Sequence, residues 1–217
     1  MNICNKEFQM PSVPDIKTHN RARTEAAILA AARAVLAEDG FQGLGINAVA
    51  RRAGCDKQLI YRYFGGIEGL ADAIGQGLAD WVTDSLQANP DLPPPATYAE
   101  LMERLIVGFL TAFRANLLVQ KIAAWELSER SELVSRLAAA RGAALSRWII
   151  QARGQLAPPQ GIDAPAVNAI LIAGVQHIVL SAAISGGFAG IALGGEDGWA
   201  RIEHAAVEIV RRLYRDA

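Results

Sequence analysis

At 217 residues, with 52% apolar and 20% charged side chains, the chain can bury a substantial core, which excludes a disordered chain and a mini-protein. Its 21 basic and 22 acidic side chains nearly cancel overall but not regionally: residues 1–16 sum to −1, residues 17–67 to +4 and residues 68–217 to −4. A basic block on an acidic body fits a polyanion-facing module joined to a part that avoids polyanions, or an ordinary solvated face.

Residues 1–16 hold Lys6, Glu7, Pro11, Pro14 and Asp15 without an apolar run that could form a signal-peptide core, and are expected to be a disordered tail. Cys4 and Cys55 are far apart in unlike surroundings, so no disulfide framework or metal cluster is expected, nor any cofactor, and the expected setting is the reducing cytoplasm. From there the pattern is helical. Apolar residues recur three and four apart at Ala27, Ile28, Ala31, Ala32, Val35 and Leu36, and Gly40 is placed to end that helix as a left-handed cap. A helix-turn-helix pattern covers residues 46–64, and Gly69, Gly75 and Gly77 dilute the next helix. These glycines serve either a pliable linkage or close helix packing.

Thr97 and Glu100 make a capping box ahead of Tyr98, Leu101, Leu105, Phe109, Ala112 and Phe113 at helical spacing. Leu133, Leu137, Ala140, Ala144, Leu145, Trp148 and Ala152 continue the period to Gly154, with Glu132 and Arg136 spaced for an i,i+4 pair. Residues 164–195 contain no Asp, Glu, Lys or Arg, enough to span a bilayer with about 20 residues. Asn168, Gln176 and His177 interrupt the run, and five glycines spoil its second half. The expectation is therefore a helix over about 165–185, buried on two sides and followed by a glycine-rich loop, and no membrane span. Trp199, Ile202, Ala206, Ile209 and Leu213 then form an a/d seam that wants a partner. No alternating strand pattern bounded by hairpin turns occurs, so the expected fold is all-α.

The informative stretch is Ile46-Asn-Ala-Val-Ala-Arg-Arg-Ala-Gly-Cys-Asp-Lys-Gln-Leu-Ile-Tyr-Arg-Tyr-Phe64. Ala50 is small where two helices cross, and Gly54 sits where the turn needs positive φ. Val49, Ala53, Cys55 and Ile60 are the apolar packing positions. Asp56 is placed to cap the second helix, which puts Lys57 and Gln58 at its exposed N-terminal end, the end that enters a major groove. Cys55 reads as a small hydrophobe filling an apolar slot, with a redox sensor as the alternative.

Gly40-Phe41, Val49-Ala50-x-x-Ala53-Gly54 and Ile60-Tyr61-Arg62-Tyr63-Phe64 followed by Glu68-x-Leu70 resemble the DNA-binding domain of TetR-family transcriptional regulators, over about residues 20–70. The resemblance implies an N-terminal three-helix domain at 17–67 and a larger helical ligand-binding and dimerisation domain at 68–217. It also implies a homodimer that binds double-stranded DNA at a palindromic operator, as a repressor released by a small-molecule effector. Carried over by position, Lys57, Gln58, Leu59, Tyr61 and Tyr63 would face DNA with Asn47 from the preceding helix, while Arg21, Arg23 and Thr24 would clamp the backbone. Two positions depart from the family. Ile67 stands where a phosphate-contacting Lys is usual, and Gly45 where Thr or Ser usually caps the motif's first helix, which implies a smaller salt dependence of binding.

In the body, Trp81, Phe109, Phe113, Trp125 and His177, with Met102, Trp148 and Gln176, are candidates to line an effector pocket or to be plain core. Helices near 165–186 and 197–214 are expected to form half of a four-helix dimer interface. An enzyme is not expected. The three histidines lack metal spacing, Gly40-x-x-Gly43-x-Gly45 has the wrong order for a dinucleotide loop, and no Gly-x-Ser-x-Gly occurs. A ligand-independent architectural DNA-binding protein is the competing reading, and the acidic body speaks against it.

Overall fold

A computed structural model describes residues 16–86 and 93–215. The expected tail lies outside the described residues except for Ile16, which opens the first helix. In order come α1 (Ile16–Gly43), α2 (Ile46–Ala53), α3 (Lys57–Phe64), α4 (Ile67–Leu86), α5 (Tyr98–Ala115), α6 (Leu117–Ser128), α7 (Glu132–Arg153), α8 (Ala164–Ser185), β1 (Gly187–Phe188), β2 (Ile191–Ala192) and α9 (Glu196–Leu213). The all-α expectation holds apart from the β1–β2 hairpin. There Ala189 and Gly190, at φ 48° and 80°, supply the two left-handed central residues of a tight turn, where the glycine content reads as loop.

α1 runs past the expected stop because Gly40 breaks it without ending it. With φ 70° and ψ −170°, Gly40 occupies a region that essentially only glycine enters, which is a kink and not a left-handed helical cap. Ile28, Leu36, Val49, Ile60, Leu70 and Ile74 form the centre of a first core, so α4 packs its opening turns against α1, α2 and α3. Fully buried aliphatics of this kind each contribute roughly 1.5–3 kcal/mol.

Thr97 caps α5 by accepting from the Glu100 N–H at 3.1 Å, and the Glu100 carboxylate reaches back to the Ala96 N–H at 2.8 Å, one residue beyond the expected box. That N–H, and then Arg104, hold the Glu100 carboxyl below the usual carboxylate range. α5 and α6 meet at 98°, a bend that has no proline or glycine to announce it. Asn116 makes it by accepting from the Val119 N–H at 3.1 Å, while buried Gln120 donates to the Phe113 and Arg114 carbonyls at 2.8 and 3.0 Å.

α7 packs along α4. Arg136 does not pair with Glu132 four residues before it. Its guanidinium forks onto Asp72 of α4 at 3.2 and 2.5 Å, the bidentate fit a carboxylate across the interface offers and an i,i+4 neighbour does not. Two of these glycines stand where backbone approaches closely: a Cβ on Gly75 would lie 2.5 Å from the Leu137 carbonyl oxygen, and one on Gly69 1.8 Å from that of Phe64.

The second core joins α5, α8 and α9 around Leu101, Leu110, Phe113, Val175, Val179 and Val210. Within the single chain only one side of the expected two is covered: α8 buries Ala164, Val175 and Val179, while Ile170, Ala173, His177 and Ile184, at helical spacing, are exposed. The seam on α9 splits likewise. Trp199 is buried, Ile202 and Ala206 are half-buried against the second core, and Ile209 and Leu213 stay exposed, while Val210, outside the seam, is fully buried. α8 is long and apolar enough to cross a membrane.

Tyr214 anchors the chain's end, donating to Asn168 Oδ1 at 2.7 Å and meeting the Tyr98 ring edge-on at 5.0 Å. Burial, with the Tyr98 hydroxyl nearby, pushes its phenol up to about 12. The folded value lies above the unfolded one of about 10. Its contribution to stability is therefore complete below about pH 10 and is lost as pH rises toward 12. Ultraviolet titration should show a tyrosine phase near pH 12, and Tyr214→Phe should remove it.

Candidate functional site

α2 and α3 are held at their turn by Gly54, left-handed at φ 65° and ψ 33°, with the Cys55 N–H donating back to the Ala50 carbonyl at 3.1 Å. Asp56 then caps α3, its Oδ1 accepting from the Gln58 N–H at 2.8 Å. Half-buried Cys55 fills the slot between the helices. Burial, and then Asp56, raise its thiol above the usual value, which suits the filler reading over a reactive thiolate.

Asn47 on α2 and Lys57 and Gln58 at the N-terminus of α3 are exposed, with Tyr61 56% exposed on the next turn of α3. Leu59 and Tyr63 are half-buried and lean on the first core, so only their outer edges face solvent. Arg21 stacks over the Tyr63 ring at 5.3 Å and pairs with Glu25 at 2.8 Å; Arg23 is exposed beside it and Thr24 half-buried. α3 and the start of α1 thus lie together on one face. Arg62, exposed on α3 with its guanidinium 5.9 Å from the Tyr63 ring, shares that face, and its signal in the sequence was its place between the two tyrosines. Arg52 does not join: it forks onto Glu38 of α1 at 2.5 and 2.7 Å.

Both departures have physical consequences. Ile67 is half-buried and packs on the first core where a lysine would reach outward. Gly45 gives α2 no side-chain cap, and a Cβ there would meet nothing within 4 Å in ordinary extended backbone. Gly45→Ser is expected to stabilise the protein by about 0.5–1 kcal/mol, through the added cap and a less flexible unfolded chain, read as a higher urea midpoint.

In the body, a cavity of about 110 Å³ opens between α4, α5, α7 and α8. Of the candidate lining residues, Phe109, Met102 and Trp148 border it. Phe113 is buried behind Phe109, stacked at 5.5 Å. Trp81 borders a separate open groove by Pro93–Pro95. Trp125 lies against Gly40, and exposed His177 meets the Phe188 ring edge-on at 5.0 Å. Sequence reasoning missed Asn168 as a lining residue, since it read only as an interruption of an apolar run.

Residues 28–74 match the model of bacterial regulatory proteins of the tetR family. Over that segment the chain is similar to the tetR family. The helix-turn-helix regulator AlkX of Mycobacterium tuberculosis is 32% identical over 94 residues, 43% of each chain, and this chain spans about half the length of the curated relatives it matches. The fold extends further than the sequence likeness. Salmonella enterica GusR superposes with a TM-score of 0.64 over 89% of this chain and 96% of its own at 15% identity. Bacillus subtilis FadR, in complex with stearoyl-CoA, does so with a TM-score of 0.59 over 85% and 96% at 16% identity.

Proposed function

We propose that this protein is a TetR-family regulator: a cytoplasmic homodimer that binds a palindromic DNA operator through α2 and α3, represses transcription there, and is released by a small-molecule effector held in its body. The observation that carries the reading is the exposed end of α3, where Lys57 and Gln58 stand one turn before exposed Tyr61 on a helix fixed by the Asp56 cap and the Gly54 turn. Lys suits a guanine edge or a phosphate, Gln an adenine edge, and the tyrosine hydroxyl a phosphate. Arg21 and Arg23 on α1 would hold the flanking backbone, with Thr24 beside them. The α4–α7 cavity is the effector site in this reading, and α8 with α9 the dimer face. The acidic body favours this reading over an architectural DNA wrapper.

Fluorescence anisotropy with double-stranded DNA from upstream of the protein's own gene, at two salt concentrations, tests it. The protein is expected to prefer that fragment to random DNA, and Lys57→Ala to lose about 1–3 kcal/mol of binding and most of the preference. Equal binding of both DNAs by both proteins would sink the specific-regulator reading.

A further inference from the structure

The cavity between α4, α5, α7 and α8 is walled by carbon. Val82, Leu105, Phe109, Leu145, Trp148 and Leu171 line it among others, no described residue that lines it is charged, and the surface it presents is almost wholly apolar. Every lining residue lies within a helix, so its backbone groups are taken up by the helix's own hydrogen bonds. The polar side chain on the wall, Asn168, has its carboxamide engaged by the protein itself. Oδ1 accepts from the Tyr214 hydroxyl at 2.7 Å, while Nδ2 donates to the Tyr98 hydroxyl at 3.1 Å and meets the Met102 sulfur at 3.7 Å. The cavity therefore offers a ligand contact area and no hydrogen bond.

Such walls select by exclusion. A carboxylate or ammonium entering them would give up its water with no counter-charge, and a hydroxyl or carbonyl would do so with no partner. A hydrocarbon gives up no hydrogen bond and gains dispersion contact, with the Phe109 and Trp148 rings to pack on. An apolar cavity of about 150 Å³ takes benzene, so about 110 Å³, with exposed Ile172 at its rim, sets the limit near a single ring. Resting on the regulator reading above, we infer that the effector is a neutral, ring-sized hydrocarbon without a hydrogen-bonding group. Val82 puts α4 on the cavity wall, and the same helix carries Leu70 and Ile74 into the first core, so a body in the cavity bears on the element that packs against α1, α2 and α3.

Isothermal titration calorimetry of the full chain with three probes tests the inference: toluene, its hydroxyl isostere phenol, and benzoate. Toluene is expected to bind about 30-fold or more tightly than phenol, the combined worth of a buried methyl and an unpaired hydroxyl, and benzoate to give no heat of binding. Toluene should also change the tryptophan fluorescence, and Trp148→Phe should lose that change while keeping the heat, which places the probe at this wall. Leu145→Phe from α7 and Leu171→Phe from α8 fill the cavity from two sides. Each, with unchanged circular dichroism, should weaken toluene by about tenfold or more, and if one of them does not fold the other decides. Phenol binding as tightly as toluene, binding of benzoate, no binding of toluene, or a toluene affinity untouched by the filling variants overturns the inference. Anisotropy on the operator fragment with saturating toluene then judges the regulator reading separately: binding without any change in DNA affinity supports the ligand class and removes the effector role.

Discussion

Replacing Ile209 with Glu is expected to turn a dimer into a monomer and to weaken operator binding by 100-fold or more. Ile209 is 46% exposed on α9 and Ile170 is 72% exposed on α8, in a chain stretch that carries no charge from residue 164 to 195. Large exposed apolar side chains on both helices are what a monomer rarely gathers without a partner. If a second copy covers them through a twofold axis, each substitution is counted twice. A buried, unpaired carboxylate costs about 3–5 kcal/mol, so two of them exceed the margin of an interface of ordinary size. Half-sites one helical turn apart need both recognition helices in fixed relation, which is why DNA affinity falls with the dimer. Sedimentation velocity of Ile209→Glu, with Ile170→Glu as an independent probe and Gln151→Glu at an exposed position of α7 as control, reads the result. A monomer with unchanged circular dichroism supports the interface. A dimer that survives both glutamates places the contact elsewhere, and binding of the unmodified protein to lipid vesicles would then make α8 a membrane-facing element.

What the sequence made legible were features written in local chemistry. The Asp56 cap, the Gly54 turn, the Thr97 cap and the apolar period of α5 and α7 each depend on residues within a few positions of one another, and each stands in the structure as read. What was not legible depends on residues far apart. Arg136 chooses Asp72 over Glu132 only because α4 and α7 lie side by side. The bend between α5 and α6 is made by side chains that look ordinary in sequence, Asn116 and Gln120. An apolar helix does not say whether its own chain or another covers it, which is why α8 reads as buried and is found half bare. The same limit holds at the cavity. Trp125 and Phe109 are equivalent as apolar aromatics, yet one packs on Gly40 of α1 and the other borders the pocket.

Gly75 and Gly77, two residues apart on α4, are expected to respond in opposite ways to the same methyl group. In either helix position Ala gains up to about 1 kcal/mol of propensity. At Gly75 the new Cβ would meet backbone, 2.5 Å from the Leu137 carbonyl oxygen and 3.3 Å from the Arg141 nitrogen, with the Ala140 Cβ at 3.0 Å. None of these can swing aside, so α4 and α7 must part, loosening the Arg136–Asp72 fork between them. Overpacking of this kind costs about 1–3 kcal/mol, and the net expectation is a loss of about 1–2 kcal/mol for Gly75→Ala. At Gly77 the obstacle is the Arg33 guanidinium, 1.9 Å away at Nη2 but at the end of a flexible side chain. The Nε of Arg33 is buried without a hydrogen-bond partner among the described residues, so moving the group toward water relieves a penalty as it makes room. Gly77→Ala should therefore be neutral or stabilising. Urea unfolding of the two single variants measures the difference directly. If both are neutral, the α4–α7 spacing is slack and the pliable-linkage reading of these glycines regains its footing; if only Gly75→Ala is destabilised, and Gly77→Ala keeps its full effector response on DNA, α4 works as a packed strut whose small residues exist to let α7 lie close.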